Sequence, residues 1–387
     1  SNWYGYYETN THKTIFSGEK TQKISFKEAS QVNGFSDKLE LQNNDINFAT
    51  PIYNVKINQD TQLTNTEKLM ITGTLNTGGY KFATTGNIDA ERLDMGGAGV
   101  EIAGDVAVRT MNVSGSDNLI KGNLMANGGG AAFKQGSLEV GGNAEFNNGF
   151  LQMQDTEDKL LVKGNLALGE TYGSSKGECL TNGTVEVKGD FTSNYKETGS
   201  NWYGYYETNM HKTIFSGEKT QKISFKEPSQ VNRFSENLEL QNNAINFATP
   251  LYSLTVNNDM TISKTEDLQI VTQLIINNGS FVTTGNVEAN MLNINNTKEN
   301  QIQGNLNMTG TVVFKKGSLE VGGNAKFDNG YLQMKDTEDK LVVKGNMTLG
   351  ETYGGSESDF LTNGTVEVKG DFTSNYKETG SNWYGYY

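Results

Sequence analysis

The 387-residue chain contains one cysteine, three prolines, three arginines and two histidines. A lone thiol cannot close a disulfide within the chain, and Cys179 is replaced by Phe360 in a later copy of its segment. A position that takes Cys or Phe is an apolar packing site, so neither a bridge nor a metal ligand is expected there. No apolar run approaches the ~18 residues of a membrane span. No stretch of ten or more residues carries helical spacing. The excess of Asp and Glu over Lys and Arg leaves a net charge of −13, which argues against nucleic acid and anionic membrane surfaces as partners. Polysaccharide lyase or hydrolase chemistry needs clustered carboxylates with an Arg or Lys base. None of Arg92, Arg109 and Arg233 recurs between copies, and His12 and His211 stand alone in identical strings, so each is read as a hydrogen-bonding structural residue. No catalysis, cofactor or metal is expected. The chain opens without an initiator Met or a signal peptide, which is read as a start inside a mature or excised chain.

What the chain has is repetition. Residues 1–50 and 200–249 are identical at 44 of 50 positions, residues 136–200 return as 317–381 with a minority of substitutions, and the opening string begins a third time at Ser381. The expected units are 1–199, 200–380 and the start of a third at 381–387. A finer ruler runs inside each unit. Gly-Asn or Gly-Asp pairs begin at Gly86, Gly104, Gly122, Gly142, Gly164 and Gly189, and again at Gly285, Gly304, Gly323, Gly345 and Gly370. Between the equivalent points Gly86/Gly285 and Gly142/Gly323 the first unit spends 18 residues more than the second. That surplus is one interval of the ruler, an extra coil near 88–122. A globular domain rarely loses a complete internal segment while keeping its flanks. A solenoid can, because each coil touches only its neighbours.

The residues around each pair alternate with period two, as in Leu138-Glu139-Val140 and Val185-Glu186-Val187-Lys188, the mark of a short strand with one buried face. Gly, Asn and Asp tolerate positive φ cheaply, so the pair is read as a sharp corner between strands. Few prolines suit long hydrogen-bonded ladders. The fold predicted is all-β: a single continuous β-solenoid, a parallel β-helix with coils of roughly 18–28 residues. A string of separate β-sandwiches is the alternative, and the block deletion counts against it.

One segment invites a binding role. The string Ser-Asn-Trp-Tyr-Gly-Tyr-Tyr holds every Trp of the chain, as Trp3, Trp202 and Trp383. Its rings, Trp3, Tyr4, Tyr6 and Tyr7 in the first copy and Trp202, Tyr203, Tyr205 and Tyr206 in the second, could stack on sugar rings or on another chain. They could equally pack on the solenoid as a folded-back loop. The loop Asp155-Thr156-Glu157-Asp158 is read as a solvated turn, since it lacks the glycine and alternation of a calcium loop.

The segment Thr11-His12-Lys13-Thr14-Ile15-Phe16-Ser17-Gly18, continuing through Gln22-Lys23-Ile24-Ser25-Phe26, resembles modules of very long secreted or cell-surface tandem-repeat proteins of Gram-positive anaerobic bacteria. The resemblance implies an exported, rod-like surface or matrix protein and supplies no catalytic residues. Composition and resemblance together give an extracellular structural repeat (stalk, fibre or filament) as the expected function. The alternative is an adhesin gripping glycans or a host surface through its aromatic loops. Expected partners are further copies of the repeat, lateral or end-to-end self-association, and glycans.

Overall fold

A computed structural model describes the chain except for residues 1–3, 10, 98, 176, 198–201, 209, 357–359, 379–383 and 387. Two compact units are present, Ser1–His211 and Lys212–Tyr387. Among the described residues there is no helix, and each unit is a parallel β-solenoid. The first unit includes the second copy of the aromatic string.

The first unit has two main stacks of strands. One runs through Lys68–Asn76, Asn87–Met95, Val106–Val113, Leu124–Phe133, Ala144–Asn147, Leu166–Leu168 and Phe191–Ser193, each parallel to the next. The other runs through Thr61–Leu63, Phe82–Thr84, Val100–Ile102, Asn118–Ile120, Ser137–Val140, Lys159–Val162 and Thr184–Val187. Successive coils therefore lie in register, and like residues stack in columns. Ile88, Val106, Leu124, Ala144, Leu166 and Phe191 form one such column, all of them buried.

A single coil shows why the pattern folds this way. Val100 and Ile102 point inward from one arm, Val106 and Val108 from the arm after the corner, and Met111 and Val113 from a third. The third arm is turned by a register shift between Val108 and Thr110, where Arg109 and Thr110 face out. Two-residue alternation in three short arms buries six apolar side chains per coil, while the polar ones stay outside. Lateral hydrogen bonds satisfy the backbone from coil to coil.

The second unit repeats the plan with one rung fewer. Its column Val287, Leu306, Ala325, Met347 and Phe372 is paired through parallel strands from Asn286–Ile294 to Phe372–Ser374. The 18-residue difference between copies is thus one complete coil.

The corner glycines occupy the expected places for a different physical reason. None of the eleven has positive φ; among the described residues the non-glycine positions that do are Asp117, Gln135, Asn148 and Lys316. What the corners require is space. The side-chain oxygen of each corner Asn or Asp accepts the backbone N–H of the corner residue one coil on: Asn87 from Asp105 (2.7 Å), Asp105 from Asn123 (2.7 Å), Asn123 from Asn143 (2.8 Å), Asn143 from Asn165 (2.8 Å) and Asn165 from Asp190 (2.8 Å). The ladder recurs through Asn286, Asn305, Asn324, Asn346 and Asp371. A Cβ on Gly142 would lie 2.5 Å from Asn123 Oδ1, and one on Gly345 would lie 2.4 Å from Asn324 Oδ1. Glycine is the residue that lets this ladder pass.

The acidic turn is structural. Asp158 is buried, and its carboxylate accepts N–H bonds from Gln154 (2.9 Å), Asp155 (3.0 Å) and Gly136 (3.2 Å). Asp339 does the same in the second unit with Lys335, Asp336, Lys316 and Gly317. Among the described residues no group of three or more His, Cys, Asp or Glu is placed to hold a metal, and no helix is long and apolar enough to cross a membrane. The histidines occupy different settings. His211 is buried with Nδ1 2.7 Å from the Asn182 carbonyl, whereas His12 is exposed beside Glu8.

Candidate functional site: an aromatic recess repeated in both units

Trp3 lies outside the described residues, as does Trp383. The other rings of the string fall into two environments. Tyr4, Tyr6 and Tyr7 are exposed. In the second copy Tyr205 is completely buried, Tyr203 and Tyr206 are half-buried, and Trp202 keeps 44% of its surface in solvent. Tyr205 has no ring face to offer a ligand, and Trp202 is the exposed aromatic of that copy.

The second string is held by the coil before it. Ser174 and Tyr203 exchange two backbone hydrogen bonds (3.1 and 2.9 Å), the Tyr195 hydroxyl donates to the Trp202 carbonyl (2.9 Å), and Tyr205 packs edge-on against Phe191 at 5.0 Å. The third string docks in the same way on its own preceding coil. Gly355 and Tyr384 exchange bonds of 3.0 and 2.8 Å, and Tyr386 packs against Phe372 at 5.3 Å. Gly173 (φ +151) and Gly354 (φ +142) sit under these contacts, where a Cβ would lie 2.9 Å from the Tyr203 carbonyl oxygen and 2.4 Å from that of Tyr384.

In the first unit the docked string closes one side of a recess through Trp202. The recess has a volume of about 410 Å³ and is walled by the rings of Phe150, Tyr195 and Trp202. Asn148, Glu170, Thr171 and Lys196 supply polar groups at its mouth. In the second unit a recess of about 480 Å³ stands at the equivalent place, with Tyr331, Phe360 and Tyr376 as rings and Asn329, Glu351, Thr352 and Lys377 as polar lining. The pairs Asn148/Asn329, Phe150/Tyr331, Glu170/Glu351, Thr171/Thr352, Tyr195/Tyr376 and Lys196/Lys377 are each separated by 181 residues, and among these six only Phe150 changes, to Tyr331. The polar groups are pre-arranged. Thr171 donates to Asn148 and Thr352 to Asn329, and Lys377 Nζ stands 3.4 Å from Glu351. Beneath the floor, Tyr172 and Tyr353 are buried. Burial pushes both phenols up, so they stay protonated, and their oxygens accept the N–H of Leu151 (3.2 Å) and of Leu332 (2.9 Å).

The wall differs between units by a compensated exchange. In the second unit Phe360 stacks on Tyr331 at 4.0 Å and 12°. A Cβ on Gly355 would lie 2.6 Å from the Phe360 ring, so the large ring needs glycine there. In the first unit Ser174 takes the place of Gly355 and the smaller, buried Cys179 that of Phe360.

Sequence reasoning singled out Trp202 and its neighbours but missed Phe150, Tyr195, Glu170 and Lys196, which are contributed by three successive coils. No family model matches the chain, and no curated protein or solved structure matches it either.

Proposed function

We propose that the chain is a non-catalytic structural repeat of a large extracellular bacterial protein, in which units follow one another as an elongated rod serving as a stalk, fibre or filament. The observation that carries this reading is the corner ladder: the same side-chain-to-backbone bond at each rung from Asn87 to Asp190 and from Asn286 to Asp371. Such a ladder makes no demand except for another coil like the last, which suits extension by number. The near-identity of residues 1–50 and 200–249 supports the same conclusion, since a scaffold needs copies and not distinct sites. Secretion rests on the composition, rich in Asn, Thr, Ser and Gly with an acidic balance, and on the resemblance to long exported repeat proteins. Further copies of the repeat are the first partners to seek.

Electron microscopy of proteins carrying one, two and four units tests the proposal. Particles that lengthen by a fixed step per unit at constant width are expected; compact particles of unchanged length would end it. The second reading, an adhesin, is favoured by the repeated aromatic recess.

A further inference from the structure

We infer that each unit carries a carbohydrate-binding subsite in this recess, and that its occupant is a neutral pyranose ring of a polysaccharide. The inference goes beyond the rod reading and stands or falls separately from it.

Three features select the ligand. First, the recess sets rings next to polar groups. Phe150 and Trp202 offer apolar surface, backed by the buried Tyr195 ring, while Asn148, Glu170 and Lys196 offer acceptors and donors along the rim. A pyranose has the matching halves, a face of C–H groups and an edge of hydroxyls. A purely apolar ligand would strip water from the rim's polar groups without replacing it, and a small ion would leave the rings unused. Second, the charges compensate. A carboxylate and an ammonium line each site, 3.4 Å apart at Glu351 and Lys377, and the chain around them carries a net charge of −13. An acidic glycan or a nucleotide would approach against that field with no surplus cation to receive it. Third, the volumes of about 410 and 480 Å³ fall in the range of small-ligand sites.

The repeat adds an internal control. The stretch that supplies the recess, residues 136–200 against 317–381, differs at 12 positions, including Glu145/Lys326, Gln154/Lys335 and Cys179/Phe360. Through these changes the amide, carboxylate, hydroxyl and ammonium of the rim are kept and Phe150 is exchanged for another ring, Tyr331, while Ser174 gives way to Gly355 and the Phe360 ring joins the wall of the second site. Two like sites on one chain would bind a long polymer more tightly than either binds a short oligomer.

The test is calorimetric titration of the whole chain with cellohexaose, xylohexaose, mannohexaose and chitohexaose, with hexagalacturonate as the acidic comparison. Tryptophan fluorescence provides a second signal, because every Trp lies in a copy of the string. Saturable binding of at least one neutral hexasaccharide at two sites per chain is expected. Trp202→Ala should remove one site, and adding Tyr331→Ala with Lys377→Ala should weaken the other at least tenfold. If Trp202→Ala lowers the melting temperature, the exposed pair Glu170→Gln and Lys196→Ala replaces it and should also weaken the first site tenfold. No binding of any neutral probe overturns the proposal, as does binding that survives all these variants, or binding of hexagalacturonate alone. Electron micrographs of the same variants report on the rod independently.

Discussion

The aromatic string appears in two settings that differ in what its rings pack against. In both copies the chain takes the same local form: Tyr4 and Tyr7 lie 5.1 Å apart at 39°, Tyr203 and Tyr206 5.1 Å apart at 40°. The first copy is fastened to the coil after it, through Gly5 to Val32 (3.0 Å), Gly34 to Tyr6 (2.8 Å) and Tyr6 to the Asn33 side chain (2.9 Å). Its tyrosines remain exposed. The second copy has Gly173, Phe191 and Tyr195 beneath it, and Tyr205 disappears from solvent. The string's shape is set locally, whereas its burial comes from the preceding coil.

The largest test of this difference is truncation of the equivalent tyrosines. Tyr205→Ala should destabilise its unit by about 3–5 kcal/mol, as expected for emptying a fully buried aromatic site, while Tyr6→Ala should cost under about 1 kcal/mol. Denaturant melts of the two variants measure the contrast, and equal losses would break it. Next, Gly173→Ala forces a Cβ toward the Tyr203 carbonyl at an unfavourable φ and should cost about 2 kcal/mol, with increased Trp202 exposure read by fluorescence quenching. Tyr195→Phe removes the hydroxyl bond to Trp202 and should cost about 1 kcal/mol in the same melts.

The smallest effect concerns acid. Burial acts to raise the Glu8 carboxyl, but hydrogen bonds from Thr14, Ser36 and Tyr6 outweigh it and hold the group below its ordinary 4.5. A depressed native pKa contributes stability above 4.5 that is lost as pH falls through the folded value. The Ser36 amide, which donates to Glu8 at 2.7 Å, should therefore shift in NMR spectra on acidification below pH 4.5, and Glu8→Gln should flatten that titration.

Much of the architecture is legible in the residues because the solenoid writes its period into the chain. The Gly-Asn corners mark the rungs, and the alternation of Val100, Ile102, Val106 and Val108 marks the inward face. The reason for the corners is not legible. Positive φ is the local explanation for Gly beside Asn, and only the stacking of Gly142 under Asn123 shows that clearance decides. The recess is hidden for a related cause. Phe150, Glu170 and Tyr195 are 20 to 25 residues apart in sequence, and nothing in any one coil announces that the three will share a wall. Cys179 reads correctly as a packing position from its exchange with Phe360, yet the accompanying change of Ser174 to Gly355 gains meaning only once that ring is seen pressing on the glycine.

The uniform donor and acceptor at every corner make the rungs interchangeable couplers. A gene that gains or loses one coil by unequal recombination yields a chain whose cut faces mate as before, so length is free to drift by whole steps while each recess, assembled from its own few coils, travels intact.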